Sequence, residues 1–491
     1  MLSIISGKRV SELDKSFIQA KGISSLDLME NAALSFCDWY YGQFPYIDQS
    51  MYFFCGPGNN GGDGLAIARL LSNSVEKITL VYFKEVEDCS KDYQSNFYRL
   101  PKKVEKIHID DFDFAIGNSA IIVDCIFGVG INRPVEGKYK EAIEKLIGID
   151  ADKISVDIPS GIPADTVLEG EAFNADFTIT FQFPKLSLLF PEHAEYTGKI
   201  EILDIGISND FLKKFAEQRF FVEEEDIPSL HKQFHNFSHK GDYGKVLLLG
   251  GSTGKVGAIL LASKAALRTG SGLVSSLIPN EERIILQIAI PVVMVYTFED
   301  FESFNDFDAI GIGPGWGGNV DISFFENLLC SYSKPMVIDA DGLNALARNP
   351  KLMNSIPKNS ILTPHLKEFE RLVGACKNHR ERIDKAKDFS VQYGIYLVLK
   401  GAFTCISCPD GNQYFNSTGN KYIATAGSGD VLTGMITSIL GQGYSSLNAA
   451  ICGVYHHGLA GELASKKLRR GLIASDIIKK IPETYRLMGI E

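Results

Sequence analysis

The first half of the chain alternates apolar runs with polar turns and amphipathic stretches. The runs are apolar almost throughout and rich in β-branched and aromatic residues: MYFFC, KITLVYF, AIIVDCIFG, KISVDIPSG, DFTITFQF and KIEILDIGI. Strands of this kind, separated by helices, form parallel sheets whose two faces are both covered. The pattern therefore predicts an α/β fold. It also predicts two helices before the first strand, the second of them containing LMENAA at residues 28–33.

A second series of the same kind begins at residue 244. Its predicted strands are GKVLLLGG, GLVSSLIP, DAIGIGPG, PMVIDAD, SILTPH and YLVLKGAFTCIS, followed by a hairpin-like stretch, QYFNSTGNKYIATAGSGD. Residues 215–244, between the two series, are charged, aromatic and aperiodic. A chain of 491 residues is too long for one ordinary domain. We therefore predict two α/β domains, spanning residues 1–214 and 215–491.

The charge balance limits the partners of the chain. Its net charge is −11, whereas a protein that coats nucleic acid needs an excess of Lys and Arg to neutralise phosphates. The sequence has no signal-peptide order at its start. It also has no apolar run of about 18 residues that would span a membrane. We expect a cytoplasmic protein that has no nucleic-acid or membrane partner and that forms a homo-oligomer.

The cysteine and histidine patterns each suggest another kind of site, a redox or metal pair of cysteines and a metal site of histidines. The nine cysteines are scattered, which is typical of reduced thiols. Cys405 and Cys408 form a C-x-x-C pair, but they lie in a predicted strand and no second pair follows, which argues against a redox or metal site. His231, His235 and His239 are spaced four apart, as metal ligands on a helix can be. The segment contains no Glu or Cys suited to complete a ligand set, which favours a linker.

Polar side chains follow several predicted strands of the first half at the point where each strand ends. Asn59, Asn60 and Asp63 belong to the loop GPGNNGGDG after the first strand, Asp124 ends AIIVD, and Asp157 ends KISVD. Ligands bind at the carboxyl edge of open α/β sheets. The glycines would let backbone N–H groups approach an anionic ligand at the start of the following helix. We expect these residues to line one crevice.

Asp124 does not suit a site for phosphate alone, because like charges repel. A bound cation would resolve the conflict. The side-chain oxygens of Asn60, Asp124 and Ser160 are hard ligands that suit an alkali or alkaline-earth ion. The alternative is that Asp124 and Asp157 only cap the helices that follow them.

The extended glycine loop resembles that of the NAD(P)HX epimerase family, the YjeF N-terminal domain. The resemblance includes LMENAA, NNGGDGLAIAR, VDCIFGVGINRP, VDIPSGI, TITFQFPK and DIGI, and covers nearly all of residues 1–210. It implies a Rossmann-like αβα sandwich that interconverts the R and S hydrates of NADH and NADPH. It also implies a potassium ion on Asn60, Asp124 and Ser160, and proton transfer by Asp157. The residues implied to contact the hydrated nucleotide are Asn59, Asn60, Gly61, Gly62, Asp63, Gly128, Val129, Gly130, Ile131, Asn132, Arg133, Pro134, Tyr139 and Asp157.

The second half contains a short motif that suits phosphoryl transfer. AGSGD, residues 426–430, opens a predicted helix. Backbone N–H groups at a helix start can bind an anion, and the carboxylate of Asp430 can act as a base on a hydroxyl group. An enzyme that phosphorylates a hydroxyl needs both functions. The alternative is a tight helix start with an aspartate placed favourably in the helix dipole.

Together with GGS at residue 250, GPGWG, DADGLN, LTPH and KGAFT, this motif resembles the ribokinase-like superfamily. More narrowly, it resembles the ADP- or ATP-dependent NAD(P)HX dehydratases over residues 235–485, although Ser428 replaces the usual threonine. The resemblance implies that phosphorylation turns the added hydroxyl into a good leaving group, with magnesium accompanying the ADP or ATP. It implies contacts to the hydrated nucleotide by Ala258, Gly317, His365 and Asp430. The residues implied to contact the donor are Lys400, Gly401, Ala402, Phe403, Thr404, Asn420, Ala426, Gly427, Ser428 and Gly429.

The favoured hypothesis is a bifunctional enzyme that repairs hydrated nicotinamide nucleotides, because one domain would supply the epimer that the other consumes. Its substrates would be hydrated NADH or NADPH and ADP or ATP. The alternative hypothesis is a kinase of small alcohols such as vitamin precursors, fused to a non-catalytic nucleotide-binding module. Ribokinase-like folds act on many acceptors, so this alternative stays open on the sequence alone.

Overall fold

A computed structural model describes residues 1–44, 49–318 and 320–490. The chain divides into two compact units. The first contains Leu2–Arg219 and Asn378–Arg380. The second contains Met1, Phe220–Lys377 and Glu381–Glu491. The domain boundary between residues 214 and 215 stays a prediction.

Seven parallel strands form the sheet of the first unit, in the order β4-β3-β2-β5-β6-β7-β8. The strands up to residue 203 are β1 Leu2–Ser3, β2 Met51–Cys55, β3 Ile78–Tyr82, β4 Glu105–His108, β5 Ile121–Cys125, β6 Asp152–Val156, β7 Phe177–Phe181 and β8 Lys199–Leu203. The six predicted strands form at the predicted places. The sequence analysis missed β1 and β4.

Helices connect these strands. They are α1 Gly7–Lys21, α2 Ser25–Gln43, α3 Asn59–Leu71, α4 Lys91–Arg99, α5 Gly137–Ile147, α6 Ala194–Thr197 and α7 Asn209–Leu212. The two predicted helices before the first long strand are α1 and α2. A capping box starts α2, in which the Ser24 hydroxyl accepts from the backbone of Asp27 and the Asp27 carboxylate accepts from that of Ser24.

The strand order of the first unit changes direction between β2 and β5. From β2 the chain proceeds outward to β3 and β4, and from β5 it proceeds outward the other way. The loops after β2 and β5 therefore separate at the carboxyl edge and leave a crevice between them. The loop GPGNNGGDG follows β2, and the segment from Ile126 to Pro134 follows β5.

The second unit is built on a larger sheet, with the strand order β9-β18-β17-β16-β15-β14-β13-β10-β11-β12. Its central strands are parallel. The strands are β9 Arg219–Val222, β10 Lys245–Leu249, β11 Leu273–Leu277, β12 Met294–Tyr296, β13 Ala309–Ile312, β14 Val337–Ile338, β15 Ile361–Leu362, β16 Tyr396–Leu399, β17 Cys405–Ser407 and β18 Gln413–Asn416.

The helices in the second half of the chain cover this sheet. They are α8 Ile227–Leu230, α9 Val256–Arg268, α10 Arg283–Ala289, α11 Ile322–Ser331, α12 Ala340–Arg348, α13 Leu366–Val373, α14 His379–Tyr393, α15 Ser428–Gly441, α16 Ser446–Leu468 and α17 Ala474–Leu487. Helix α15 is buried along most of its length and packs against α9 and α16.

Two predictions for the second half were wrong in detail. YLVLKGAFTCIS forms two antiparallel strands, β16 and β17, instead of one. The chain turns at residues 400–404, where the Thr404 hydroxyl donates to the Gly401 carbonyl at 3.1 Å. The hairpin joins β17 to β18, so only the start of the predicted hairpin stretch is a strand. Lys400 and Gly401 interrupt the apolar run at this point, but such a short interruption does not by itself distinguish a reversal from a continuing strand.

The described residues contain no helix that is both long enough and apolar enough to cross a membrane.

Candidate active sites

The first unit has a cavity of about 660 Å³ at the carboxyl edge of its sheet. Its walls come from α1 and from the loops after β2, β5, β6 and β7. Of the residues predicted for the epimerase site, the lining includes Asn59, Asn60, Asp63, Gly128, Val129, Gly130, Ile131, Asn132, Arg133 and Asp157. The fold therefore brings together side chains that are about a hundred residues apart in sequence.

Three glycines of the GPGNNGGDG loop are required by close packing within the protein, and a Cβ atom on the first of them, Gly56, would lie 1.9 Å from the Ile126 carbonyl oxygen. A Cβ atom on Gly61 would lie 1.8 Å from the Gly56 carbonyl oxygen, and one on Gly64 would lie 2.6 Å from the Cys125 Sγ atom. Around Gly58, at the start of α3, there is open space. The loop thus uses glycine mainly to let α3 approach the sheet.

Asn60, which lines the cavity, is linked to Ser160 and Asp124 through the Phe127 carbonyl. The Asn60 amide donates to the Phe127 carbonyl at 2.9 Å, and the Ser160 hydroxyl lies 3.3 Å from the same oxygen. The Asp124 carboxylate is fully buried and accepts from the Ser160 hydroxyl at 2.5 Å and from its backbone N–H at 2.8 Å. Burial raises the pKa of Asp124, and the hydrogen bonds from Ser155 and Ser160 oppose that change.

This cluster fits a potassium ion by its chemistry. Its donors are a carboxylate, a hydroxyl, an amide oxygen and a backbone carbonyl, all of them hard oxygen ligands. A cation at this point would also compensate the buried charge of Asp124, which has no basic partner among its described hydrogen bonds.

Asp157 ends β6 in a left-handed backbone conformation, with φ of +69°. Aspartate tolerates this conformation better than most residues, but it remains uncommon and occurs often at functional sites. Its Oδ1 atom accepts from the Lys185 ammonium and lies 3.3 Å from the Thr180 hydroxyl. Lys185 was not singled out from the sequence, although it ends the quoted segment TITFQFPK.

Two further carboxyl groups line the same cavity. Burial raises the pKa of Asp14, on α1, to about 6, with Lys185 opposing the change and Asp157 adding to it. Burial also raises the pKa of Asp63 well above its usual range, and the charges of Asp157 and Asp14 add to this. The sequence analysis missed Asp14, because nothing in α1 distinguishes it from a surface aspartate.

The remaining predicted residues of this site lie around the cavity. Gly61 and Gly62 are buried, and Pro134 is exposed. Tyr139, at the start of α5, stacks on Phe83 with ring centroids 4.8 Å apart and contacts Phe127 at 5.0 Å. Their contacts to the substrate stay predictions.

In the second unit, AGSGD forms the sharp entry to α15. Gly427 precedes the helix with φ of +84°, and a Cβ atom there would lie 2.5 Å from the Leu261 side chain. The N–H groups of the first turn of α15 are therefore presented at a helix start, which favours an anion. Asp430 lies in the same turn.

A buried carboxylate connects this helix to two neighbouring strands. Asp339 follows β14 and is 2% exposed. It accepts from the Lys400 ammonium at 2.9 Å and from the Thr433 hydroxyl at 2.6 Å. A Cβ atom on Gly429 would lie 3.3 Å from the Lys400 nitrogen. The positive charge of Lys400 is thus held beside the helix start.

Burial raises the pKa of Asp430 to about 7. The nearby Asp339 carboxylate adds to the rise in this pKa and Lys400 opposes it. A carboxyl group that titrates near neutrality can take up a proton and release it again, which suits a general base.

His457 contacts the anion-binding turn directly. Its Nε2 atom lies 3.1 Å from the Ser428 hydroxyl and 3.0 Å from the Ser428 carbonyl. Neither His456 nor His457 was among the residues predicted for this site. His456 bonds instead to His231 at 2.9 Å, whereas His235 and His239 are exposed. In the parts of the chain that the structure describes, no group of three or more His, Cys, Asp or Glu residues could hold a metal ion.

The other residues predicted for this site follow neighbouring strands of the same sheet. The His365 Nδ1 atom caps α13 by accepting from the backbone N–H of Lys367 at 3.1 Å, and its own backbone pairs with Lys400. The Gly317 N–H donates to Asp341 at 2.7 Å, and Ala258 lies in the first turn of α9. The cap gives His365 a structural role and leaves its substrate contact a prediction.

The residues predicted to bind the donor occupy two loops. Lys400, Gly401, Ala402, Phe403 and Thr404 form the turn between β16 and β17. The Asn420 amide donates to the Ser465 hydroxyl at 2.8 Å, which holds its loop on α16. Ala426, Gly427, Ser428 and Gly429 lie at the start of α15.

Sequence profiles of two protein families match the chain. One, described as YjeF-related protein N-terminus, matches residues 25–187. The other, described as NAD(P)H-hydrate dehydratase, matches residues 246–483.

The chain is also similar along nearly its full length to proteins named bifunctional NAD(P)H-hydrate repair enzyme. The one from Moorella thermoacetica is 34% identical, with 98% of this chain and 96% of that protein covered. The one from Escherichia coli is 33% identical, with 87% and 83% covered. A solved ADP/ATP-dependent NAD(P)H-hydrate dehydratase from Bacillus subtilis, co-crystallised with ATP and Mg²⁺, is 30% identical with a TM-score of 0.51. It covers 56% of this chain and 100% of its own.

Proposed function

The chain belongs to the family of bifunctional NAD(P)H-hydrate repair enzymes, and we propose that the carboxyl edges of its two sheets carry the two activities of that family. The first unit is the NAD(P)H-hydrate epimerase and the second is the dehydratase, which regenerates NAD(P)H. Similarity along nearly the whole chain favours this function over a small-alcohol kinase. The observation that supports the site assignment best is the placement of Asp157 and Asp430 at the carboxyl edges of their sheets.

For the epimerase, Asp157 is proposed to move one proton. The hydrated ring carbon bears a hydroxyl and is bonded to the ring nitrogen. When the carboxylate takes the hydroxyl proton, a C=O bond forms, the C–N bond breaks, and the nitrogen receives that proton from Asp157. Closure on the opposite face of the carbonyl reverses these transfers and gives the other epimer. The base must lie within hydrogen-bond reach of the hydroxyl. Asp157 lines the cavity of the first unit, so a substrate bound there can come within that distance.

For the dehydratase, Asp430 is proposed to take the proton of the same hydroxyl as its oxygen attacks the terminal phosphoryl group of the donor. The shortened nucleotide leaves. The phosphate ester then eliminates: the C–O bond to phosphate breaks, the departing phosphate takes the proton of a neighbouring C–H bond, and the ring C=C bond forms. The helix start of α15 and Lys400 would stabilise the negative charge of the transferring group.

ADP or ATP is the proposed donor, with Mg²⁺ bound to its phosphates. The Bacillus subtilis dehydratase co-crystallised with ATP and Mg²⁺ supports this choice. Magnesium commonly enters with substrate phosphates and few protein ligands. When bound, it would neutralise phosphate charge.

We further propose that the enzyme works in the cytoplasm as a homo-oligomer without nucleic-acid or membrane partners. The net charge of −11 supports the lack of a nucleic-acid partner. Exposed apolar side chains at Ile284, Ile288 and Val292 support contact between copies.

The function is tested with a chemically prepared mixture of R and S hydrates of NADH, Mg²⁺ and either ADP or ATP. We expect NADH absorbance to recover for the whole mixture. A stand-alone dehydratase, as control, should stop when the S hydrate is consumed. Formation of a phosphorylated product without recovery of NADH would contradict the proposal.

Potassium is expected to support the epimerase unit, since Asn60, Asp124 and Ser160 offer hard oxygen ligands. At a K⁺ concentration of about 100 times its Kd, the folded first unit should gain about 2.7 kcal/mol. Thermal unfolding in K⁺ and in choline at equal ionic strength measures this, and epimerase rates are compared in the same buffers. D124N should lose the difference. Identical unfolding of the wild-type protein in the two salts would contradict the potassium site.

The dehydratase should lose activity in acid as Asp430 becomes protonated. Because its carboxylate form is the active one and its pKa is raised to about 7, kcat/KM for the S hydrate should rise with pH up to about 7 and then level off. The contribution of Asp430 to the free energy of unfolding should change with pH in the opposite direction to the activity. The folded state binds this proton more tightly than the unfolded one, so the contribution of Asp430 to stability falls as pH rises from 3.8 through about 7. A pH profile that is flat through neutrality would contradict the assignment.

A further inference from the structure

Lys185 is a buried cation in the wall of the epimerase cavity. Its side chain is 3% exposed, and it lines the cavity beside Asp157. Its ammonium group donates to the Asp157 carboxylate, to the Thr180 hydroxyl at 2.9 Å and to the Phe181 carbonyl at 3.1 Å. An ammonium group has three N–H donors, so these acceptors engage all of them.

This arrangement fixes the position of the ammonium group. A buried ammonium is costly unless it is paired and hydrogen-bonded. Its three acceptors come from the end of β6, from β7 and from the residue that ends β7. Because all three N–H groups are used inside the wall, Lys185 acts on the substrate through the carboxylate that it holds.

The Asp157 carboxylate is held by one of its two oxygens. The bonds from Lys185, from the Thr180 hydroxyl at 3.3 Å and from the Phe181 N–H at 3.5 Å all reach Oδ1. Within residues 1–44, 49–318 and 320–490, the Oδ2 atom has no hydrogen-bond partner. The carboxylate therefore has one anchored oxygen and one oxygen available to a ligand.

We propose that Lys185 is a positioning residue of the epimerase: it anchors Oδ1 of Asp157 and keeps Oδ2 as a charged base for the substrate hydroxyl. This inference rests on the proposed role of Asp157. It assigns to Lys185 the orientation and the charge state of the base, whereas the proton transfer itself stays with Asp157.

Several acidic side chains surround the pair formed by Asp157 and Lys185. Asp14 from α1 and Asp63 from α3 line the same cavity, and both interact electrostatically with Asp157 and Lys185. Asp92 on α4 adds negative charge near Asp63. Neighbouring carboxylates favour the protonated form of a carboxyl group, whereas a cation within a few ångströms favours the charged form. Lys185 is the cation that the structure places directly against the carboxylate of Asp157 among these acidic side chains.

The test measures the pH profile of epimerisation in the full chain for K185M, K185R and D14N. K185M should lower kcat near neutrality by about 10- to 100-fold, the usual effect of removing a partner that orients a functional group, with a smaller change in KM. Its acid limb should move to higher pH by about 1 to 3 units. D14N removes a negative charge and should move the acid limb the opposite way. K185R keeps the charge and should keep the acid limb of the wild type.

Lys153 offers a matched control. It is also a buried lysine of the first unit, 7% exposed, and its ammonium donates to the Ile147 carbonyl at 2.8 Å away from the cavity residues. K153M should therefore leave the acid limb of epimerisation in place. Dehydratase activity on the pure S hydrate and thermal unfolding report the folding of each variant.

Several outcomes would overturn the inference. One is an acid limb of K185M that coincides with that of the wild type, and another is a shift of K185M and D14N in the same direction. If K185M does not fold, D14N provides the test. An acid limb of D14N that coincides with that of the wild type then overturns the inference. A wild-type chain that does not equilibrate R and S hydrates would instead contradict the proposed function.

Discussion

Replacing Asp430 by Asn should lower the dehydratase rate by about 10²- to 10⁴-fold, the usual contribution of a general base. Asparagine keeps the size of the side chain but cannot accept the hydroxyl proton. The anion-binding start of α15 would remain, because Gly427 and the Asp339–Lys400 pair are unchanged. The loss should therefore appear mainly in kcat, with donor binding nearly intact.

The measurement uses pure S hydrate with ADP or ATP and Mg²⁺, and follows recovery of NADH absorbance. Epimerisation of the R hydrate by the same variant, followed by chromatography, is the internal control for folding. D430N should also unfold at a higher temperature than the wild type above pH 7, because it removes a carboxylate whose burial raises its pKa to about 7. D430N activity within a few-fold of the wild type would exclude Asp430 as the base.

Replacing Asp157 by Asn should lower the rate of R–S interconversion by about 10²- to 10⁴-fold while dehydration of the S hydrate continues. The amide cannot take the hydroxyl proton. It also removes the negative partner of Lys185, whose ammonium would keep its bonds to Thr180 and Phe181. With a mixed substrate, the variant should recover NADH from the S fraction quickly and from the R fraction only at the uncatalysed rate.

The measurement is a progress curve of NADH absorbance, which should separate into these two phases. The size of the fast phase gives the S fraction, and the slope of the slow phase gives the residual epimerase rate. The D430N chain has an unchanged first unit. Adding it should supply the missing epimerase activity and restore full recovery of NADH. A single fast phase in D157N alone would show that Asp157 is dispensable.

The sequence predicted the fold well where apolar runs are bounded by clear turns. All six predicted strands of the first half form. The β-branched and aromatic residues of the inner strands are largely buried on both faces of the sheet, whereas the edge strand β8 is only partly buried. The prediction was wrong at YLVLKGAFTCIS, where a turn at residues 400–404 separates two antiparallel strands. Lys400 and Gly401 interrupt the apolar run at this turn, but a charged residue and a glycine do not show by themselves that the chain reverses direction.

The motifs predicted two loops whose positions in the fold the structure gives, whereas the roles of their residues stay predictions. The loops GPGNNGGDG and AGSGD lie at the carboxyl edges of the two sheets. Gly61 was expected to contact the substrate, which stays a prediction, and the structure shows in addition that Gly61 packs against Gly56 and Gly64 against Cys125. A glycine pattern indicates close approach without indicating what approaches.

The sequence by itself determined the two α/β halves, the order of their strands along the chain and the polar residues that follow those strands. Only the tertiary structure decided which distant side chains meet. Lys185 reaches Asp157 across 28 positions, His457 reaches Ser428 across 29, and Lys400 reaches Asp339 across 61. Local patterns are set by backbone preference and burial, which neighbouring residues encode. These pairs depend on strand order in the sheet and on helix packing, because buried charges must find partners wherever the assembled fold places them.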